Sequence, residues 1–219
     1  MLKMTARGIA PCLALAVLSA GAALAQEMPT SIGHARQLAV VAAKPVSGAK
    51  LTVTSPAFKA GEDLPWENTQ YRGNVFPGLT WSKGPAGTRS YVVVTQGMLG
   101  TASQGTSIHF TLFNIPANVT ALARGLTAPP AGAIYGPNVH GENSAYSGPH
   151  THGPEKHDYH YQVLALDTVL PANPKITYEA MEAGMVGHVL ASGDVVARSY
   201  RDPQAPPDPP RAPGAAPAA

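Results

Sequence analysis

Hydrophobic positions along the chain fall in short runs broken by glycine, proline and asparagine, and most runs show strand rather than helix periodicity. Leu51–Ser55 (LTVTS) alternates apolar and polar residues, as a half-buried strand does. Tyr91–Thr95 (YVVVT) is β-branched almost throughout, the pattern of a strand buried on both faces. Ser107–Ile115 (SIHFTLFNI) and Tyr159–Asp167 (YHYQVLALD), bounded by Gly, Pro or Asn, add two more strands, and Asp194–Tyr200 (DVVARSY) a last one. A single helix is predicted over Thr177–Leu190, where Ala180, Met181, Gly184, Met185, His188 and Val189 share one face. Gly184 and Gly187 lower its intrinsic propensity, so it needs a sheet to pack on. Ile32–Ala43 (IGHARQLAVVAA) reads as a short helix or an added strand, ended by Pro45–Gly48. Many strands and one late helix predict a β-sandwich-like domain with peripheral helix.

The two ends change the picture of charge and compartment. Lys3 and Arg7, the apolar Cys12–Leu18 and the small residues of Ala23-Leu24-Ala25 have the grammar of a secretory signal cut after Ala25. The apolar run is shorter than the roughly 20 residues of a membrane span and is interrupted by Pro11, Ser19 and Gly21. Cleavage takes the 15 basic residues to 13, against 13 acidic, so the mature chain is neutral and has no basic field for nucleic acid or anionic lipid. It also removes Cys12, the one cysteine, and with it disulfide and thiolate chemistry. Residues 26–49 form a lead-in, residues 50–202 one domain with a proper core. Residues 203–219, with seven prolines in seventeen positions, read as a solvated tail.

Candidate chemistry concentrates in Ser147–Tyr161, SGPHTHGPEKHDYHY. Strand parity puts His157 on one face with Tyr159, Tyr161 and Val163, and His160 on the other with Gln162 and Leu164. His109, between Ile108 and Phe110, is either a satisfied core histidine or the polar element of a pocket. A metal reading would draw on His140, His150, His152 and His157, although no HExxH helix, Cys pair or other established ligand spacing is present. GxSxG, GxxxxGK[ST] and a strand-linked GxGxxG are absent from the sequence, so nothing in it signals an esterase elbow, a nucleotide loop or another cofactor. The remaining reading is an anion pocket. His109, His157, the Tyr159 hydroxyl and N–H groups of the Ser147–Gly153 loop would donate, with Gly148 allowing close approach and Pro149 stiffening the turn. A bound anion favours charged imidazole, so affinity should rise as pH falls through the histidine range.

Three segments in order, FPGLTWSKGPAGTRSYVVV, IHFTLFNIPANVTAL and AYSGPHTHGPEKHDYHYQVLALD, resemble the phosphatidylethanolamine-binding protein family. FPGLTWSKGPAGTRSYVVV (Phe76–Val94) is similar to its Pro-x-Leu-x-Trp-x-x-x-Pro-x-Gly-Thr-x-Ser strand pair. IHFTLFNIPANVTAL (Ile108–Leu122) resembles its Trp-His-Trp-x-x-x-Asn-Ile-Pro segment, and AYSGPHTHGPEKHDYHYQVLALD its Gly-Pro loop and His-Arg-Tyr strand. The likeness runs from about Leu51 to Arg201 and is nearest to the bacterial Raf kinase inhibitor-like branch. It implies a large antiparallel sheet packed on a smaller one, with peripheral helices including a C-terminal one. It also implies a small pocket for phosphate-type anions and action by binding, as inhibitor or signalling module, without turnover. His109, His157, Tyr159, Gly148 and Pro149 match the pocket positions. The family's Asp-Pro-Asp-x-Pro, however, is replaced by QGMLG (Gln96–Gly100), the Arg of His-Arg-Tyr by Asp158, and the paired prolines by Thr151 and His152.

Overall fold

The computed structural model describes residues 33–98 and 105–207. The predicted signal and the tail from Asp208 onward lie outside the described residues. A large sheet is built from β1 (His34–Ala35), β4 (Ser90–Met98), β5 (Thr106–Pro116), β7 (Ile134–Tyr135), β8 (His157–Leu166) and β9 (Val189–Ser199). Its order is β1-β5-β4-β8-β9, with β7 also pairing with β5. A small sheet has the order β2-β3-β6, from Val53–Thr54, Leu79–Trp81 and Ala121–Leu122. Every strand pair is antiparallel.

The unbroken apolar run of β4 follows from its place at the centre of the large sheet, covered on both faces. Tyr91 and Val93, with Leu112, Tyr161 and Val163, pack toward Val53, Leu79, Trp81 and Leu122 of the small sheet. Val92 and Val94, with Ile108, Leu164 and Leu166, pack against Ala39 of α1 (Ala39–Ala42) and against Tyr178, Met181 and Met185 of α2 (Tyr178–Met185). The lead-in supplies both elements its sequence allowed, β1 on the edge of β5 and α1 over the sheet.

Two irregularities in β5 break strict alternation. Tyr91 pairs with Ile115 but Val93 with Leu112, and Asn114, at φ 57°, lies in the extra turn of chain. Its side chain is tied both ways to Leu170, Nδ2 donating to the carbonyl and Oδ1 accepting from N–H, each at 2.9 Å. Nearer the other end, Thr95 pairs with Phe110 but Gln96 with Ile108, so His109 is an extra residue against one step of β4. Such a bulge re-aims the side chains beside it. Ile108 faces the helices, whereas Phe110 faces the small sheet.

The late helix is shorter than its periodicity predicts. Thr177 caps it, accepting from Ala180 N–H at 3.2 Å, but it ends at Met185, and Gly187 turns the chain at φ 82°. The reason is register: Val189 already pairs with Leu166, so β9 begins well before Asp194. The buried face is Tyr178, Met181 and Met185, while Ala180 is exposed and His188 lies outside the helix, bonded to Asp167 at 2.8 Å. The C-terminal helix implied by the family likeness is not found among the described residues; β9 is their last regular element.

Candidate functional site

Residues 146–153 form a loop across one end of the large sheet, and His109 is joined to it in two places. Ser147 N–H donates to the His109 carbonyl at 2.9 Å, and His109 Nδ1 lies 3.0 Å from the Ser147 carbonyl. A carbonyl only accepts, so Nδ1 carries the proton. The other nitrogen, Nε2, then accepts from the Ser107 hydroxyl at 2.9 Å. The imidazole is 6% exposed, and burial pushes its pKa down to about 4 despite the backbone bonds to Ser147 and Gly148, which act the other way. It is therefore neutral at ordinary pH.

Tyr159 meets His109 edge to face, ring centroids 5.1 Å apart, and its hydroxyl pairs with Thr151 Oγ1 of the loop at 3.0 Å. Burial raises its phenol pKa. Its ring lies over Gly97, where an added Cβ would stand 2.6 Å from Cε1. His157, two residues earlier and partly buried, makes a long contact from Nδ1 to the Met98 carbonyl at 3.5 Å.

The loop is held from behind by residues 68–74, which the sequence did not single out. Gln70 donates from its N–H to the Pro149 carbonyl (3.0 Å) and from Nε2 to the Gly148 carbonyl (2.7 Å) and Ser147 Oγ (3.1 Å). Tyr71 donates its hydroxyl to the Thr151 carbonyl at 2.6 Å. Asn74 accepts from Gly148 N–H at 2.6 Å and donates to the Tyr146 carbonyl at 3.2 Å. The Ser147 and Gly148 N–H groups expected to face an anion are thus spent on His109 and Asn74. Gly148 is required by space: a Cβ there would collide with the Asn68 carbonyl oxygen and lie 3.0 Å from Thr69 Cα.

The histidines of the metal reading are not gathered. His140 turns inward, Nε2 2.8 Å from Ser147 Oγ. His150 stacks on Tyr71 at 4.6 Å and meets His152 edge-on at 4.9 Å. Among the described residues no group of three or more His, Cys, Asp or Glu side chains is placed to hold a metal ion.

Ser107, His109 and the Ser147 carbonyl do have the connectivity of a nucleophile, a base and an orienting acceptor. The electrostatics oppose that role. An imidazole with a pKa near 4 is a weak base, and its orienting partner is a neutral carbonyl where a carboxylate would stabilise imidazolium. The arrangement fixes one tautomer and one ring orientation of His109 beside Tyr159.

Residues 54–201 match the family described as phosphatidylethanolamine-binding protein. The chain belongs to that family. Among its relatives, the UPF0098 protein YbcL of Escherichia coli is 32% identical over 158 residues, covering 67% of this chain and 83% of YbcL. A UPF0098 protein of Aquifex aeolicus is 30% identical, covering 71% and 91%. The crystal structure of YbcL, described as a member of the mammalian PEBP family, aligns with TM-score 0.62 at 29% identity over 70% of this chain and 99% of that one. The PEBP homologue CT736 of Chlamydia trachomatis gives TM-score 0.62 at 28% identity, with the same coverage. The chain thus falls in the bacterial YbcL branch of the PEBPs.

The PEBP departures now have positions. Gln96, first residue of the QGMLG stretch, points to the helix side. Its Oε1 accepts from Ala39 N–H (2.8 Å) and Gln162 Nε2 (2.7 Å), and its Nε2 donates to the Gln37 carbonyl (2.9 Å) and Thr106 Oγ1 (2.6 Å). It serves the seating of α1. Gly97, next along, leaves the space that the Tyr159 ring occupies beside His109. Asp158 is exposed on the face opposite Tyr159.

Proposed function

We propose that this PEBP is an exported binding protein whose pocket, formed by His109, His157, Tyr159, Gly148 and Pro149, takes a small phosphate-type oxyanion and acts without turnover. The observation that carries the reading is the convergence of a bulged His109, Tyr159 and the Ser147–Pro149 loop at one end of the large sheet. The family match adds the kind of ligand. With His109 neutral and the Ser147 and Gly148 N–H groups engaged, the side-chain donors offered to a ligand are those of His157 and the spare hydrogen of the Thr151–Tyr159 hydroxyl pair. A bound oxyanion favours charged imidazole, so binding strengthens with acidification.

Titration with inorganic phosphate, followed by histidine ring NMR, tests the pocket. Millimolar phosphate is expected to move the His157 and His109 resonances; if both stay put while surface histidines respond or nothing moves, the pocket reading is wrong. The export part of the proposal rests on the signal-like residues 1–25. Cell fractionation with N-terminal sequencing is expected to return a mature chain starting at Gln26 outside the cytoplasm; a cytoplasmic chain retaining Lys3 and Arg7 would refute it. Whether the bound form inhibits or signals to a protein partner is then a question for capture from that exported fraction.

A further inference from the structure

Three consecutive residues behind the pocket loop are tied in opposite directions. Gln70 and Tyr71 grip the loop, at Ser147, Gly148, Pro149 and Thr151. The next residue, Arg72, is gripped by the segment that follows β9. Its Nε and a terminal nitrogen donate to the two Asp202 carboxylate oxygens at 2.5 and 2.9 Å, and that nitrogen also reaches Gln204 Oε1 at 2.8 Å. The Asp202 side chain is 2% exposed and additionally accepts from Gln204 N–H at 2.9 Å. One residue before it, Arg201 N–H donates to the carbonyl of Gly153, the far end of the same loop, at 2.9 Å. Residues 201–204 therefore make two contacts around the loop: with Arg72, next in sequence to the residues that grip it, and with Gly153 at its exit.

Ser147, Gly148, Pro149 and Thr151 of the loop are buried, but its outer side at His150 borders open space. Between His150 and Tyr71 on one side and Gln204 and Pro206 on the other lies an open cleft of about 610 Å³ rather than packed apolar side chains. Polar ties add to that burial in setting the loop's position. A forked guanidinium–carboxylate pair is suited to that, because it is short, directional and specific to arginine. Loss of Arg72 would leave the Asp202 carboxylate with the Gln204 N–H as its remaining hydrogen-bond partner, a less favourable state for a shielded charge. The loop placed in this way carries the Ser147 carbonyl that orients His109 and the Thr151 hydroxyl that meets Tyr159.

We propose that Asp202 is a positioning residue for the pocket: through Arg72 it fixes the 147–153 loop, so that ligand affinity depends on the segment after the last strand. The ligand half of this rests on the pocket proposed above; the loop half does not.

Hydrogen exchange read by mass spectrometry and titration with inorganic phosphate, on the full chain, test the two halves separately. Asp202→Asn and Arg72→Lys are both expected to speed exchange in residues 147–153 by about tenfold, leaving β4 and β8 unchanged, and to weaken phosphate binding by a similar factor. Arg72→Lys keeps the charge and loses only the fork, so it stands in should Asp202→Asn fold poorly. Thr177→Ala, which removes the distant α2 cap, is the control for general destabilisation and is expected to alter neither readout. Wild-type exchange in the loop of both variants overturns the positioning role. A loosened loop with undiminished phosphate affinity overturns its link to the ligand. A loosened loop in a protein whose wild type ignores phosphate supports the positioning and refutes the pocket reading instead.

Discussion

Acidification from pH 7 to pH 4 is expected to remove about 3 kcal/mol of folding stability through His109 alone. In the fold its pKa is about 4, against 6.5 for a free imidazole, because burial disfavours the charged ring. Between those values the unfolded chain holds a proton that the folded chain does not. The His109 contribution is thus complete above pH 6.5, declines as pH falls, and is gone near pH 4. Protonation would also put a second N–H donor against the Ser107 hydroxyl, which must then turn its own hydrogen elsewhere. Urea unfolding across this range, on wild type and His109→Asn, isolates the effect. The variant loses the Ser107 bond and is less stable at neutral pH, but its stability should vary less with pH, by up to about 1.4 kcal/mol per pH unit where the difference is steepest. Equal slopes in the two proteins would show that His109 is not a buried neutral base.

Gly148→Ala should cost about 1–3 kcal/mol and detach the loop from His109. The new methyl group meets backbone, the Asn68 carbonyl and Thr69 Cα, neither of which is a flexible tip that can swing aside. The loop must lift, and lifting it lengthens the bonds from Gln70 and Asn74 that define its position. The Ser147 carbonyl then no longer orients the imidazole. Calorimetric or urea unfolding reads the stability loss. The His109 ring resonances, which report the Nδ1 tautomer, read the local one. An alanine variant with wild-type stability and unshifted His109 signals would remove the spatial requirement assigned to Gly148.

Much of this was written in the order of residue types. The β-branched run at Tyr91–Thr95 marks a strand covered on both faces, and β4 is that strand. Parity along Tyr159–Leu164 separates Tyr159 and Tyr161 from His160 and Gln162, and the two cores divide there. Three spaced motifs suffice for the family. These features are local: they depend on side chains two residues apart on a strand, which any extended backbone presents to opposite faces.

The site is legible only in part. His109, Tyr159, Gly148 and Pro149 are visible as residue types in the right order, and Ser107, two residues before His109 on the same strand, was within reach of the same parity argument. What sets their chemistry was not. Alternation cannot place a bulge, and the bulge at His109 depends on how β4 and β5 align along their whole length. Nothing near Gln70 or Asn74 in the chain points to a loop more than seventy residues away. Gln96 looks like a lost pocket acid until the helix it holds is in view.

By itself, then, the sequence determined the central strands, their alternating faces away from the β5 bulges, and the family, because periodic burial is a property of neighbouring residues. The tertiary structure alone decided that His109 is a buried imidazole held in one tautomer, that the 146–153 loop is clamped by Gln70 and Asn74, and that Asp202 pairs with Arg72 beside it. Those depend on hydrogen bonds between distant segments and on desolvation, and neither exists until the sheets, the loop and the end of the chain have been brought together.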